Sequence, residues 1–569
     1  MRDVSAQRGK SGSTMPPPSL RPYQRAAIEA VVAARRAGVR RMVVCLPTGA
    51  GKTVVFSHLA KLAKKQVLVL AHREELLSQA KDKLERALDA GTGRGSPIVA
   101  IERGAERASQ DAKVLVCSIR SLHEKRLTQV LAGRDFGLVI YDECHHAAAE
   151  DNLRVLRQLG AFDPRWTGTL LGFTATTERG DGKGLDEVFE RIVYARSLPE
   201  MIGDGFLAPL RGFRVSTAAD LRGLSGKGMD FDEEELAEAV DIEERNALVA
   251  RSIQELARDR RTIAFCVTVN HARNLCRSLN VLGVPAGIVH GAMPADVRAR
   301  ALEDFRAERT QVLTNVAVLT EGFDDPGVSC IAMARPTRSE GLYAQCVGRG
   351  TRLSPGKKDC LVLDFVDLSN LSLCSLPSLF GAPRDMDLQG EDAREAARAW
   401  QQILFDHPGF ELEAGALTLS EIQDRAESFD PLRLRADAEV RAISRNAWFS
   451  LGRHGVGLHF ERKSGKKTEA LVLKRGGRGK VWEIHLDGKL MDKYSRMEEA
   501  VAAVDYEIDR MGRGASLSAL PGAPWRKAAA PPSLLEETAN ARKQGGVLGW
   551  ADALQLEVWQ RVVGKPKKG

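Results

Sequence analysis

The segment LPTGAGKT at Leu46–Thr53 contains the residue types that bind a nucleoside triphosphate. Its glycines permit a tight loop whose backbone N–H groups surround phosphate oxygens, and a following helix N-terminus adds positive potential. The strict pattern GxxxxGK[ST] is not met, because Leu46 replaces the first glycine. We expect Lys52 to reach the β- and γ-phosphates and Thr53 to bind magnesium. The expected nucleotide-binding residues of this loop are Pro47, Thr48, Gly49, Ala50, Gly51, Lys52 and Thr53.

An acidic motif, IYDECHH at Ile140–His146, ends an apolar run that is typical of a buried strand. An α/β sheet places its site at the C-terminal ends of such strands. Asp142 is expected to hold magnesium, directly or through water, and Glu143 to orient and deprotonate the attacking water. No Cys/His partner set accompanies the two histidines. A coupling role for His145 between domains is therefore favoured over metal binding.

A third motif, QCVGRGTR at Gln345–Arg352, presents two arginines far along the chain from the glycine-rich loop. A guanidinium beside a transferring phosphoryl group contributes roughly 10³–10⁵ in rate. Arginines on a second domain act only when the cleft between the domains closes. The three motifs together predict an ATPase whose site lies between two domains. The alternative for Arg349 and Arg352 is a pair of surface salt bridges.

Two sets of short apolar runs alternate with helical stretches, which predicts two doubly wound α/β domains with parallel sheets. The first domain is predicted at residues 20–209, with strands at Arg41–Leu46, Gln66–Ala71, Lys113–Ser118, Leu138–Tyr141 and Thr169–Phe173. The second is predicted at residues 247–370, with strands at Thr262–Val267, Ala286–His290, Gln311–Asn315, Cys330–Ala334 and Leu361–Asp364. The remaining predictions before residue 441 are a disordered tail at 1–19, an acidic linker at 210–246 and a helical connector at 371–440 that includes a helix at Glu391–Phe405.

The last quarter of the chain is basic and predicts a nucleic-acid-binding module of the α+β type at residues 441–515. Residues 441–569 contain 24 Lys and Arg against 14 Asp and Glu, although the whole chain carries a net charge of only +8. A concentrated basic surface is typical of phosphate-backbone binding, and a solvated face is the alternative. Residues 516–569 are predicted to be helical, with a lysine-rich end. The predicted strands are Phe449–Leu451, Gly457–Phe460, Ala470–Lys474 and Val481–Leu486, and the predicted helix is Arg496–Met511.

Side chains on those strands are candidates for contact with nucleic acid. Arg462, Lys463, Lys474 and Arg475 are expected to contact phosphate groups. Trp448 and Trp482 either stack on bases or fill the core, and the core is favoured.

Composition narrows the class of protein. No run approaches the roughly 18 apolar residues of a membrane span, and no apolar segment near the start resembles a signal peptide. The nine cysteines include no CxxC pair, so neither a zinc ribbon nor a disulfide framework is expected. We expect a reduced, cytoplasmic protein with no zinc. Whether Met1–Ser19 directs the chain to an organelle, or Met15 is the true start, stays open.

Between Leu20 and Phe365 the ordered motifs resemble those of superfamily 2 helicases of the DExH type. The resemblance implies two tandem RecA-like domains and a nucleic-acid-dependent ATP hydrolase. It implies adenine recognition by Arg21 and Gln24, and coupling of hydrolysis to movement by Thr174, Ala175 and Thr176. It also implies nucleotide contacts from Gly322, Asp324, Gln345, Arg349 and Arg352, and nucleic-acid contacts from His72, Arg73, Ser118, Thr268 and Thr314.

The stretch Val347–Phe365 resembles RadD-like, phage UvsW-type and mitochondrial branched-DNA helicases, although the chain lacks the cysteine-rich tail of RadD-like proteins. We therefore expect an ATP- and Mg²⁺-dependent helicase or translocase that acts on branched or forked DNA in repair or recombination. Two alternatives stay open, an RNA helicase and a non-unwinding DNA-stimulated ATPase subunit of a defence or restriction complex.

Overall fold

The computed structural model divides into two compact units, one ending at Glu395 and the other beginning at Ala396. The structure describes residues 20–71, 74–88, 98–102, 107–175, 185–224, 226–227, 230–320, 322–368, 373–407, 410, 412, 417–427, 438–451, 454–463, 466–475, 481–528 and 550–562. The tail predicted at residues 1–19 and the lysine-rich C-terminal end lie outside these residues.

A seven-stranded parallel sheet forms the first part of the N-terminal unit. Its strands are β1 (Arg41–Cys45), β2 (Gln66–Ala71), β3 (Val99–Glu102), β4 (Val114–Ser118), β5 (Phe136–Asp142), β6 (Thr169–Thr174) and β7 (Arg191–Ala195), in the spatial order β3-β4-β2-β5-β6-β1-β7. The helices are α1 (Pro22–Arg36), α2 (Lys52–Leu62), α3 (Glu74–Leu88), α4 (Glu124–Leu131), α5 (Glu150–Gln158) and α6 (Leu198–Gly203).

A six-stranded parallel sheet forms the second part of this unit. Its strands are β8 (Leu210–Asp220), β11 (Thr262–Phe265), β12 (Ala286–His290), β13 (Val312–Val316), β14 (Cys330–Met333) and β15 (Cys360–Leu368), in the order β12-β13-β11-β14-β15-β8, while β9 (Gly226–Lys227) and β10 (Asp230–Phe231) form a separate pair. The helices are α7 (Glu233–Val240), α8 (Glu243–Leu256), α9 (Val269–Val281), α10 (Ala295–Arg306) and α11 (Glu340–Val347).

The prediction of two parallel-sheet α/β domains is confirmed by these sheets. Each central strand is buried along nearly its whole length, as parallel strands covered on both faces require. The edge strands β3 and β7 were not predicted. β3 has only four residues, and β7 is half-exposed, so neither gives a strong apolar run.

The linker predicted at residues 210–246 is wrong over Leu210–Asp220. These residues form β8, the edge strand that pairs in parallel with β15. Exposed and buried positions alternate along β8, so its composition is polar although it belongs to the sheet. The second domain therefore begins at residue 210 and not at 247.

Part of the connector predicted at residues 371–440 also belongs to the N-terminal unit. A 3₁₀ turn at Pro377–Phe380 and the short strand β16 (Met386–Asp387) follow β15. The side chains of Leu376 and Leu388 fill the space beside Gly212 in β8, where an added Cβ would lie 2.8 and 3.0 Å from their δ-carbons. This packing covers the sheet edge, so the segment is not a free connector.

The C-terminal unit is built on a five-stranded antiparallel sheet. Its strands, in spatial and chain order, are β18 (Phe449–Ser450), β19 (Gly455–Lys463), β20 (Lys466–Arg475), β21 (Val481–Leu486) and β22 (Lys489–Tyr494), with the short β17 (Leu417–Thr418) before them. The helices are α12 (Ala393–Asp406), which crosses the division between the units, α13 (Leu419–Glu427), α14 (Ala438–Ile443), α15 (Met497–Arg510), α16 (Arg513–Ala519) and α17 (Trp550–Val562).

Helices cover both faces of this sheet. Val472 packs with α15 and α16, while its neighbour Leu471 packs with Val558 and Trp559 of α17. Successive strand residues point to opposite faces, so the two helical layers lie on opposite sides. The α+β fold predicted here is confirmed, although its core extends to Ala519 and not only to residue 515.

The missed strand β22 forms a hairpin with β21 through Asp487 and Gly488, which adopt φ angles of 45° and 76°. An Asp-Gly pair with two positive φ angles is the expected chemistry of a two-residue type I′ turn. Within the described residues, every helix is too short or too polar to cross a lipid bilayer.

Candidate functional site

The glycine-rich loop joins β1 to α2 and lies against the start of α1. Gly49 and Gly51 have φ angles of 86° and 76°, which favour glycine. A Cβ added at Gly51 would lie 2.8 Å from Nε2 of Gln24. Tyr23 donates its hydroxyl hydrogen to the Ala50 carbonyl at 2.7 Å, and the Arg21 N–H donates to Oε1 of Gln24 at 3.0 Å. The predicted adenine-recognising segment therefore contacts the predicted phosphate loop.

Lys52 and Glu143 form an ion pair at the centre of the first domain. Lys52 Nζ lies 3.0 Å from Oε1 of Glu143, and both side chains are largely buried. Burial lowers the pKa of Lys52, but the charges of Glu143 and Asp142 outweigh this and raise it overall. Lys52 therefore stays cationic at neutral pH, as phosphate binding requires.

Glu143 lies at the first turn after β5 with a φ of 54°. A non-glycine residue rarely adopts this left-handed conformation, and such strain concentrates at functional sites. Its backbone N–H donates to Oδ1 of Asp142 at 3.1 Å. The turn thus holds two carboxylates of the acidic motif beside Lys52.

Thr53 and Asp142 are the predicted magnesium ligands, and the structure places them at the start of α2 and the end of β5. Both are half-buried, and both offer the oxygen donors that Mg²⁺ prefers. The described residues contain no cluster of three or more His, Cys, Asp or Glu suited to a metal ion. Magnesium is usually held by one or two protein oxygens together with phosphate, so this donor set fits the ion.

His145 connects the acidic motif with the end of β6. Its Nδ1 lies 3.2 Å from Oγ1 of Thr174 and 3.5 Å from Oε2 of Glu143. Thr174 is fully buried and Ala175 half-buried, whereas Thr176 lies outside the described residues. The hydrogen bond gives the predicted coupling residues a direct route to Glu143.

The arginine motif of the second domain lies against the phosphate loop of the first. A Cβ added at Gly348 would lie 2.6 Å from the Cβ of Thr48. A Cβ at Gly49 would lie 3.2 Å from Cγ of Arg352 and 3.4 Å from Oγ1 of Thr351. These close approaches bring the three motifs together at one cleft.

The two arginines are held by the segment that follows β13. Arg349 is buried, and its guanidinium donates to the carbonyls of Thr320 at 2.7 Å and Phe323 at 3.0 Å. Arg352 Nε pairs with Oδ1 of Asp324 at 3.1 Å, and burial lowers the pKa of Arg352. Gly322 has a φ of 74° in the same segment, and Gln345 is buried in α11.

Asp324 also pairs with Lys83 of α3, at 2.7 Å from Nζ to Oδ2. Burial raises the pKa of Asp324, but Arg352 and Lys83 outweigh it and lower the pKa overall. Asp324 therefore connects the first domain with the arginine motif of the second. Sequence reasoning missed Lys83, because a single lysine on a polar helix face carries no motif.

Two residues predicted to contact nucleic acid, Ser118 and Thr314, are buried in this structure. Ser118, at the end of β4, is 2% exposed, and Thr314, in the middle of β13, is 0% exposed. The hydroxyl of Thr314 donates to the carbonyls of Ala272 and Gly287, at 3.0 and 3.1 Å. The half-buried Thr268 caps α9 by accepting from the His271 N–H at 3.3 Å. His72 and Arg73 lie outside the described residues.

On the C-terminal unit, Arg462 and Lys474 are exposed, and Lys474 Nζ lies 5.8 Å from the centroid of the Trp482 ring. The side chains of Lys463 and Arg475 are not among those described. Trp448 is a core residue whose Nε1 donates to Ser444 at 3.0 Å and Asp505 at 3.2 Å, while Trp482 is half-buried at the margin of that core.

Comparison with known proteins shows the family to which this chain belongs. The family described as "Type III restriction enzyme, res subunit" matches residues 18–179, and "Helicase conserved C-terminal domain" matches residues 244–354. A Schizosaccharomyces pombe protein, provisionally named mitochondrial ATP-dependent helicase irc3, is 34% identical over 453 residues, covering 78% of this chain and 73% of its own. The chain belongs to the DExH-type helicases of superfamily 2.

A second relative, the Saccharomyces cerevisiae protein provisionally named ATP-dependent helicase IRC3, is 32% identical over 394 residues. The match covers 66% of this chain and 55% of that protein, so the helicase spans little more than half of its length. A solved structure of S. cerevisiae Dbp5 bound to RNA and ADP BeF3 superposes with a TM-score of 0.46 at 16% identity, covering 72% of this chain and 93% of that one. Because each parallel sheet lies in a part of the chain that a helicase family model or the irc3 relative matches, the two sheets are the tandem RecA-like domains of an ATP-hydrolysing helicase.

Proposed function

We propose that the helicase is a magnesium-dependent DNA motor that moves on, or unwinds, branched or forked DNA in repair or recombination. The observation that carries the motor is the cleft where Lys52 and Glu143 of one domain face Arg349 and Arg352 of the other. Closure and reopening of such a cleft converts hydrolysis into movement.

The proposed roles follow from the geometry of the cleft. Lys52 neutralises phosphate charge, and Thr53 and Asp142 hold Mg²⁺, which supplies Lewis-acid stabilisation of phosphoryl oxygens when bound. Glu143 orients the attacking water and accepts a proton from it, because its carboxylate lies beside Lys52. Arg349 and Arg352 stabilise charge that develops in the transition state.

Further residues of the same cleft are proposed to bind the nucleotide and to couple its hydrolysis to domain movement. Arg21 and Gln24 read the adenine, since Gln24 contacts the phosphate loop. Gly322, Asp324 and Gln345 complete the nucleotide site from the second domain. His145, Thr174 and Ala175 couple hydrolysis to domain movement through the hydrogen bond at Thr174.

The choice of DNA is supported by the charge of the C-terminal unit and by the restriction-enzyme family that matches the first domain. Exposed Arg462 and Lys474 stand on neighbouring strands of that unit, where phosphate groups of a duplex have access. We propose that this unit, through Arg462, Lys463, Lys474 and Arg475, selects the DNA on which the motor acts.

A second candidate function is a non-unwinding DNA-stimulated ATPase within a restriction or defence complex. The match to a restriction-enzyme family favours it. In that case the basic unit is an assembly surface, and the chain hydrolyses ATP on DNA without separating strands.

The test is a panel of labelled forked DNA, duplex DNA and structured RNA, scored for ATPase stimulation and for strand separation by the full chain. We expect forked DNA to stimulate most and to be unwound. Greater stimulation by RNA would overturn the DNA assignment, and strong DNA stimulation without strand separation would favour the second candidate. Lys52→Ala is the inactive control.

For the compartment we propose the cytoplasm. A fluorescent fusion at the C-terminus of the full chain tests this, and accumulation in an organelle, as the name of the irc3 relative implies for that protein, would contradict it.

A further inference from the structure

Five residues after the arginine motif, Lys357 places its ammonium group among four backbone carbonyls. Lys357 Nζ lies 2.5 Å from Gly350 O, 2.9 Å from Arg352 O and 3.3 Å from Pro326 O, and the carbonyl of Val328 is also within hydrogen-bond distance, so its three N–H groups are shared among four acceptors. Among the described residues, no acidic side chain forms an ion pair with Lys357. A charged donor held only by carbonyls fixes backbone positions, because each carbonyl must lie where the ammonium can reach it.

A tight turn delivers Lys357 to this place. In the turn Ser354–Lys357 the Lys357 N–H donates to the Ser354 carbonyl at 3.1 Å, and Gly356 has a φ of 79°. A type II turn requires a positive φ at its third position, where glycine is favoured, and proline is common at its second. The sequence SPGK thus reverses the chain directly after the arginine motif and returns the lysine side chain towards it.

The four carbonyls belong to two separate segments of the second domain. Gly350 and Arg352 lie in the arginine motif, while Pro326 and Val328 follow the segment that holds Asp324. The side chains of Arg349 and Arg352 contact this second segment as well, through its carbonyls and through Asp324. Lys357 is therefore the third cation that joins the two segments, and it does so through backbone atoms alone.

We propose that Lys357 is a positioning residue for ATP hydrolysis, which sets the backbone of Gly350–Arg352 so that Arg349 and Arg352 face the phosphate loop. This inference rests on the proposed role of the two arginines. Without the ammonium, the carbonyls of Gly350 and Arg352 lose their shared donor, and the arginine motif can shift against Gly49, where an added Cβ would lie 3.2 Å from Cγ of Arg352. A misplacement of about 1 Å in a catalytic group can cost roughly a hundredfold in rate.

The surroundings of Lys357 give the proposal a pH signature. Burial lowers the pKa of Lys357, the positive charges of Arg352 and Arg261 lower it further, and Asp325 and Cys360 act in the opposite direction. Cys360 opposes this lowering only when its thiol ionises, and burial raises the pKa of that thiol to about 12, so Cys360 is neutral in the working range. A cation with a lowered pKa loses its proton earlier as the pH rises, so the ATPase rate of the wild type falls on the alkaline side earlier than an ordinary lysine would allow.

The experiment compares Lys357→Met with Lys358→Met in the full chain, at saturating forked DNA. Lys358 is the adjacent, exposed lysine and provides the matched control. We expect Lys357→Met to lower kcat by about 10- to 100-fold with KM for ATP within about twofold, because the arginines act on the transition state and not on ground-state binding. Lys358→Met is expected to match the wild type.

Three further measurements separate positioning from a loss of folding. In an Arg352→Ala background, Lys357→Met is expected to lower kcat by a further factor of less than about three, since the effects of residues that act as a unit are not additive. Lys357→Arg keeps its charge at high pH. It is therefore expected to retain part of the kcat that Lys357→Met loses, and its ATPase rate is expected to decline only at a higher pH than that of the wild type. The melting temperature and DNA affinity of Lys357→Met report on folding.

Each outcome has a definite meaning. If Lys357→Met equals the wild type while Arg352→Ala is inactive, the inference fails and the proposed function stands. If Arg349→Ala and Arg352→Ala both keep full activity, the proposed site itself fails. Independent, multiplicative losses in the double variant would show that Lys357 acts on stability and not through Arg352.

Discussion

The two units of this helicase reveal their functions in different ways. In the N-terminal unit, the proposed catalysis depends on a few side chains with fixed partners, since Lys52 pairs with Glu143 and Arg352 pairs with Asp324. In the C-terminal unit, the informative property is the excess of positive charge over a segment of 129 residues. Catalysis requires one geometry, whereas phosphate binding accepts many arrangements of positive charge. A single substitution is therefore expected to abolish the first function and only to weaken the second.

The largest expected effect is a loss of catalysis, with DNA binding left intact, from substitutions at the ATP site. Lys52→Ala and Glu143→Gln are each expected to lower DNA-stimulated kcat by about 10³-fold or more, because each removes a charge or base at the reacting phosphate. ATP turnover with forked DNA measures the loss. DNA affinity in the absence of ATP is the control and is expected to stay within about twofold. A variant that keeps full turnover contradicts the site.

A core substitution in the C-terminal unit tests whether the two units are separable. Trp448→Ala removes a buried indole with two hydrogen bonds and is expected to destabilise that unit by about 3–5 kcal/mol. Trp482→Ala, at the half-buried margin, is the matched comparison and is expected to cost less. Chemical unfolding followed by tryptophan fluorescence measures both. Basal ATPase activity lost in parallel with this unit would show that the units do not act separately.

Charge reversal on the strands tests the distributed character of binding. Arg462→Glu combined with Lys474→Glu is expected to weaken DNA binding about tenfold at moderate salt and to flatten the salt dependence. At saturating DNA, kcat is expected to be unchanged. Arg510→Glu is the control, because Arg510 lies on α15 and already pairs with Glu507 at 2.7 Å. Equal losses from the control would assign the effect to net charge and not to the strands.

The smallest expected effect concerns the ion pair between Lys83 and Asp324. Both side chains are more than one-third exposed, so the pair contributes at most about 1 kcal/mol after solvent screening. Lys83→Ala is expected to raise KM for ATP by no more than about fivefold, and the difference is expected to vanish in high salt. A tenfold change that persists in high salt would show that Lys83 has a larger role in closing the cleft.

Sequence motifs predicted the parts of the site that chemistry restricts to particular residue types. The loop at Gly49–Thr53 and the carboxylates at Asp142 and Glu143 lie where buried strands end, so a pattern of apolar runs also located them. Contacts made through backbone atoms were not predictable. Lys357 has no required spacing from Arg352, because its acceptors are carbonyls that every residue possesses.

Edge strands and the burial of individual side chains were also difficult to predict from the sequence. β8 was missed because an edge strand that is partly exposed alternates polar and apolar residues and resembles a linker. Ser118 and Thr314 were assigned to nucleic-acid contact by resemblance, yet burial in the sheet is decided by neighbouring strands. By contrast, Asp487-Gly488 is a hairpin signal that the sequence itself contains, so β22 is predictable.

The path between the two RecA-like domains is very short, since only Asp204–Pro209 separate α6 from β8. This path is itself anchored, because the Ala208 N–H donates to the Thr351 carbonyl at 2.7 Å and the Phe206 carbonyl accepts from Arg21 at 3.1 Å. A tether of this length keeps the second domain at a high effective concentration beside the first. Closing of the cleft is therefore a unimolecular event, and dilution of the protein cannot separate the arginines from the phosphate loop.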